Sequence, residues 1–217
     1  FTITHSRREA ILKVTHRHGV PILEDDCYAD NRYDGAPVTS LYNLDDQDSV
    51  MYVGSFSKII APGMSLGYMT APDEVLNRAM TVKSGRISEF TAMAVEKYAR
   101  KYLDAHIEEI NVIQRGKRDA MLSALGENFG TSAEWSDPDG GLYIWMKVKE
   151  GADLVSLCPK ALEEIDVGFH PGVNYSTDGK SGGNYLRLCY GYNQPVEIAE
   201  GISRLAKFFE KEGVLDS

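Results

Sequence analysis

Three short apolar runs, Val20–Glu24, Ser49–Gly54 and Leu66–Thr70, constrain the fold of this chain more than any other feature. Each is too short for a free-standing helix, and each sits beside turn-forming, acidic or small residues. Such runs suit strands buried in a sheet that helices cover, and helical signals flank them. Ser6–His18 reads as a helix closed by Gly19, and Pro72-Asp73 opens another. The first half therefore predicts a parallel α/β sheet. Two long helices follow, Glu89–Leu103 and Ala105–Leu125, closed by Gly126 and Gly130. After them the texture changes. Glu134–Trp135, Gly141–Val148, Val167–His170 and Asn184–Tyr190 read as strands, and Pro159–Glu164 and Pro195–Glu212 as helices. Two domains are expected, residues 1–104 and a smaller α+β domain over 105–217.

Charge and cysteine usage exclude several classes. A net charge of -9 and a pI near 5.1 argue against a nucleic-acid surface, which needs clustered cations, but not against a small anion held by a few placed groups. Cys27, Cys158 and Cys189 are scattered and odd in number, so neither a disulfide framework nor a metal site is expected, and a cytoplasmic setting is. No apolar run reaches membrane-span length, and Phe1–Arg8 lacks the shape of a signal peptide.

Two clusters carry chemistry. Glu24-Asp25-Asp26-Cys27-Tyr28 ends one predicted strand, and Gly54-Ser55-Phe56-Ser57-Lys58 ends another. Ligands of open α/β sheets bind beyond the carboxyl ends of strands. Hydroxyls around a lysine suit an anionic phosphate, and the lysine itself can form a Schiff base with an aldehyde. Taken singly, each cluster has a bland explanation, a solvated acidic loop and a surface lysine in a polar turn.

Together they resemble the signature of the class I/II, fold-type I aminotransferases, nearest the branch of the 2-aminoadipate and kynurenine aminotransferases. Arg32-Tyr33-Asp34-Gly35 extends the first motif; Ala61-Pro62-Gly63 and Leu66-Gly67-Tyr68 extend the second, and Lys58 follows Asp25 by 33 residues. Gly140-Gly141-Leu142-Tyr143-Ile144-Trp145 resembles the strand that opens the family's small domain, and Tyr185-Leu186-Arg187-Leu188-Cys189-Tyr190 its carboxylate-binding motif. The resemblance implies a pyridoxal-phosphate-dependent transferase fold: part of the large, mostly parallel-sheet domain followed by the small α+β domain. It implies pyridoxal 5'-phosphate as cofactor, an amino acid and a 2-oxo acid as substrates, and a homodimer. Asp25 is expected to pair with the pyridine nitrogen, Tyr28 to donate to the ring oxygen, and Lys58 to hold the cofactor and move the substrate proton. Ser55 and Ser57 are expected to contact the phosphate, and Arg187 to grip the α-carboxylate as a bidentate fork.

The pattern departs from the family in two places. Ser65 stands where an arginine usually clamps the phosphate, and Arg86 is the candidate substitute. The family's Asn-Pro-(Ser/Thr)-Gly motif precedes the helix that begins near Ser6, so the chain is expected to be a fragment without the N-terminal half of the large domain. Two other functions stay open. One is the aminotransferase-like sensor domain of a winged-helix transcriptional regulator, which the position of Cys27 before Tyr28 disfavours. The other is a β-lyase or decarboxylase reaction on the same cofactor. Elsewhere, the Lys/Arg run near Lys117 reads as a solvated face, and Tyr143, Trp145 and Phe169 as core.

Overall fold

The computed structural model describes residues Thr2–Leu215, which divide into two compact units, Thr2–Asn111 and a second beginning at Val112. The first opens with α1 (His5–His18). Thr4 caps it by accepting from the Arg7 N–H, and Gly19 closes it at φ 61°, the left-handed conformation that glycine adopts at little cost. Next come β1 (Ile22–Asp25), the short α2 (Leu41–Leu44) and β2 (Val50–Ser55). β3 (Gly67–Thr70), α3 (Asp73–Val82) and α4 (Glu89–Phe129) complete this half of the chain.

The sheet order is β1-β2-β3. β1 and β2 are parallel, with Ile22 opposite Val50 and Asp25 opposite Val53. β3 is antiparallel to β2, with Gly67 opposite Ser55, so the expected parallel sheet carries one antiparallel strand. The cause is chain length: residues 56–66 hold only one 3-10 turn, Pro62–Met64, whereas a parallel return needs about a dozen residues or more and usually a helix. The core here is small, with Leu12, Leu41 and Val50 buried and Ile11, Ile22 and Leu44 packed against them.

Asp45 ties this core together. Its carboxylate accepts from the backbone of Ser49 at 2.6 Å, of Val50 at 2.9 Å and of Gln47 at 3.2 Å. It also lies 2.8 Å from Nε2 of His16 on α1. Burial by itself pushes this carboxyl up, but the backbone donors of Ser49 and Gln47, His16 and the Val50 N–H outweigh it and hold the group below its ordinary range. With Asp46 it forms a cluster of metal-like donors, yet both Asp45 oxygens are already engaged.

α4 is one continuous helix where two were expected. Asp104, at the predicted break, is neither glycine nor proline, and good helix formers stand on both sides of it. Gly116 and Gly126 lie inside the helix, and Gly130, at φ 52°, follows its end.

In the second unit, β4 (Glu134–Trp135), β5 (Tyr143–Lys147), β7 (Tyr185–Cys189) and β6 (His170–Pro171) form an antiparallel sheet in the order β4-β5-β7-β6. α5 (Leu154–Ile165) and α6 (Pro195–Lys211) complete it. Alternation along the paired strands sends Ile144, Met146, Leu186 and Leu188 to the core, where Leu125, Phe169, Leu205 and Phe209 are also buried. Phe209 sets its ring against those of Phe129 and Phe169. Lys117 and Arg118 belong to this buried set, contrary to the solvated face expected for them. Lys117 Nζ donates to the carbonyls of Gly191 and Tyr192 at 3.1 and 3.0 Å, and Arg118 donates to that of Pro138 at 2.9 Å. Among the described residues, no helix is long and apolar enough to cross a membrane.

Candidate active site

The two sequence clusters meet because β1 and β2 are parallel. Their carboxyl ends then lie at the same edge of the sheet, and each continues into a turn that carries its motif.

Strand alternation sorts the three acids of the first motif. Glu24 is buried and structural: it pairs with Arg8 at 2.7 Å and accepts the N–H groups of Leu41 and Tyr42, both at 3.0 Å, so it fastens α1 and the start of α2 to β1. Asp26 is half-buried; its backbone N–H donates to Val53, and its carboxylate accepts from the Tyr52 hydroxyl at 3.3 Å. Burial, then the charge of Glu24, pushes its carboxyl above the ordinary range despite the Tyr52 hydrogen bond. Asp25 lies between them in sequence and is exposed, open to a ligand.

Among the described residues, the thiol of Cys27 donates to Asp25 at 2.8 Å. That bond and partial burial push the Cys27 thiol up, so it serves as a donor and not as a thiolate nucleophile. Tyr28 follows in the same turn, and the Lys58 Nζ lies 5.8 Å from its ring centroid. Ser55 ends β2, and its Oγ accepts the Ser57 N–H at 3.1 Å, which tightens the turn that presents Ser57 and Lys58. Ile59, buried beside Lys58, anchors that turn. Gly54 lets the Tyr68 ring lie close over the strand: a Cβ there would stand 2.3 Å from that ring and push it aside. The first unit thus assembles an open carboxylate, a phenol, an amine and two hydroxyls. This donor set fits an aromatic aldehyde that carries a ring nitrogen and a phosphate.

The two residues expected to bear on phosphate binding lie elsewhere in this half of the chain. Ser65 caps the 3-10 turn at φ 46°, and its N–H donates to Pro62. Arg86 is exposed in the segment between α3 and α4.

Arg187 belongs to the second unit, on the sheet face opposite the core, where alternation also places Tyr143, Trp145 and Tyr185. It does not simply face solvent. Its guanidinium carbon lies 4.0 Å from the centroid of the Tyr143 ring and 4.6 Å from that of Tyr175. Its Nε is buried without a hydrogen-bond partner among the described residues. Tyr143 and Trp145, expected in the core, instead build this second face, whereas Phe169 is core. Tyr175 had no signal in the sequence beyond being aromatic, because the turn that brings it to Arg187 is a tertiary feature.

A lysine and an acid on the ends of parallel strands, with an arginine on a separate antiparallel sheet, is the division of labour that the sequence motifs imply. Comparison with known proteins agrees: the aminotransferase class I and II family matches residues 2–205, and the chain belongs to that family. It is 32% identical to aromatic-amino-acid aminotransferase 1 of Thermococcus litoralis, over 97% of this chain and 51% of that protein. The HTH-type transcriptional regulator YdfD of Bacillus subtilis is 30% identical over 94% of this chain and 42% of its own length. Among solved structures, LysN, the α-aminoadipate aminotransferase of Thermus thermophilus complexed with N-(5'-phosphopyridoxyl)-L-leucine, superposes with a TM-score of 0.90 at 30% identity, over 95% of this chain and 54% of its own. The fold is therefore that of the fold-type I transferases, with mixed sheets, and the chain spans about half the length of the curated relatives it matches.

Proposed function

We propose that the protein transfers an amino group between an amino acid and a 2-oxo acid, with pyridoxal 5'-phosphate bound at the β1–β2 edge. One observation carries this reading: the parallel pairing of β1 and β2 gathers Asp25, Tyr28 and Lys58 at one strand edge, with Lys58 against the Tyr28 ring. When bound, the cofactor supplies an electron sink that stabilises negative charge at the substrate Cα. Asp25 accepts from the ring N–H and preserves the positive charge of the ring. Tyr28 donates to the ring oxygen. Lys58 would hold the cofactor covalently through its Nζ and, as a free amine, would move the proton between Cα and the cofactor carbon. Ser55 and Ser57 donate to the phosphate, and Arg187 holds the substrate α-carboxylate. A homodimer is the assembly the family resemblance implies.

Borohydride reduction of the full-length protein loaded with pyridoxal 5'-phosphate, followed by peptide mapping, tests the reading. A pyridoxyl label on Lys58 is the expected result; a label on another lysine overturns it. The similarity to YdfD supports a second reading, a sensor domain of a DNA-binding regulator. It predicts DNA binding that responds to an amino acid or to the cofactor, with no net turnover, whereas the enzyme predicts multiple turnovers. Release of ammonia or carbon dioxide in place of amino transfer would instead indicate a lyase or decarboxylase.

A further inference from the structure

Outside the β1–β2 edge, an aromatic face surrounds Arg187. We propose that Tyr143 and Tyr175 are positioning residues that hold the Arg187 guanidinium in place and unpaired for the substrate carboxylate. The inference rests on the reading of Arg187 as the carboxylate-binding residue.

Arg187 leaves β7 between Leu186 and Leu188, both buried on the opposite face, so its backbone is fixed by the core. Trp145 is its direct partner across the β5–β7 ladder, and Tyr143, two residues earlier on β5, is the diagonal neighbour whose ring reaches it. Tyr175 arrives from the 3-10 turn Gly172–Tyr175 after β6. That turn is held closely: a Cβ on Gly172 would stand 2.4 Å from the carbonyl oxygen of Gly182, and Val173 accepts both the N–H and the hydroxyl of Ser176. Rings support Tyr175 from behind. Trp145 meets it edge-on with centroids 5.6 Å apart, and Tyr185 stacks on Trp145 at 5.7 Å.

The chemistry follows from what a ring can and cannot do. A tyrosine face attracts a cation and displaces water from it, but it offers no oxygen in the guanidinium plane. No described carboxylate pairs with Arg187, and its Nε is buried without a partner, so its donors remain for an incoming anion. A cation already oriented and partly covered in this way gains more from a carboxylate than a mobile one, because part of the ordering cost is met when the protein folds.

The test compares Tyr175→Ala, Tyr175→Phe and Arg187→Ala in the full-length holoenzyme. Half of Tyr175 is exposed (47%), so its loss leaves the core intact. Tyr175→Ala is expected to raise KM for both the amino acid and the 2-oxo acid about tenfold, with kcat within about threefold. Tyr175→Phe is expected to restore KM, because it keeps the ring. The slow reaction of the cofactor with a primary amine that lacks a carboxylate is expected to be the same in wild type and Tyr175→Ala. A raised KM in Arg187→Ala with an unchanged KM in Tyr175→Ala overturns the positioning role and leaves the Arg187 reading intact. An unchanged KM in Arg187→Ala removes the reading itself. A Tyr175→Ala variant that is equally impaired toward the carboxylate-free amine also overturns the proposal, since the ring would then serve general folding.

Discussion

At the scale of single residues, the parity of a strand decides which acid is open to a ligand. Glu24 and Asp26 are held by the protein itself, while Asp25 is open, so the two aspartates should respond in opposite ways to the same substitution. Asp25→Asn is predicted to retain cofactor and to slow transamination by several orders of magnitude, because the ring loses its charge partner. Asp26→Asn is predicted to keep near-normal turnover and to melt at a higher temperature than wild type at pH 7. Asp26 binds its proton more tightly folded than unfolded, so it costs stability as pH rises above the ordinary value of 3.8, and the difference between variant and wild type should close as pH falls toward that value. Ser65 carries a separate prediction. A neutral hydroxyl in place of a charge-assisted fork forfeits about 1.5–3 kcal/mol, or roughly a tenfold to hundredfold loss in affinity. Ser65→Arg in the full-length protein should therefore slow release of the pyridoxamine form. Unchanged release, together with faster release in Arg86→Ala, would assign the clamp to Arg86. The motifs were legible in the sequence; the parity was not, because it depends on where β1 begins. The buried roles of Lys117 and Arg118 were hidden for another reason. Their partners are backbone carbonyls at Gly191, Tyr192 and Pro138, which a sequence pattern does not record.

At the scale of elements, most helices and strands followed from apolar runs and caps, and the exceptions have specific causes. α2 is only one turn long, held by its Ser40 cap and by Glu24, so it has no periodicity to detect. β3 reversed direction because its connection is too short for a crossover. α4 continued through Asp104 because nothing there breaks a helix. The junction between α2 and β2 gives the prediction at this scale. Asp45 has a side chain only 4% exposed and gathers His16 and three backbone N–H groups. Asp45→Ala removes the acceptor of the part-buried Ser49 and Val50 N–H groups and the partner of His16, and should cost about 1–3 kcal/mol in urea unfolding of the full-length protein. The folded carboxyl titrates below its ordinary value, so its contribution is present above pH 3.8 and is lost as pH falls below it. The wild type should consequently lose stability on acidification through that range faster than Asp45→Ala does.

At the scale of the whole molecule, the proposed roles fall on both compact units. The first presents Asp25, Tyr28 and Lys58 at a strand edge, and the second presents Arg187 among tyrosines. The chain matches about half the length of its relatives, and large apolar side chains such as Leu23, Val82, Phe90 and Met93 are exposed on it. Apolar surface of this extent is the kind that further protein covers in a working enzyme. The central claim is that Lys58 at the β1–β2 edge makes the protein an aminotransferase. Its most direct test is to mix the full-length protein, loaded with pyridoxal 5'-phosphate, with single amino acids, and to measure 2-oxo acid released per protein in wild type and in Lys58→Ala. The wild type is expected to release one 2-oxo acid per site and to turn over continuously once a second 2-oxo acid is added, and Lys58→Ala to do neither. Equal 2-oxo acid release by wild type and Lys58→Ala would contradict the claim.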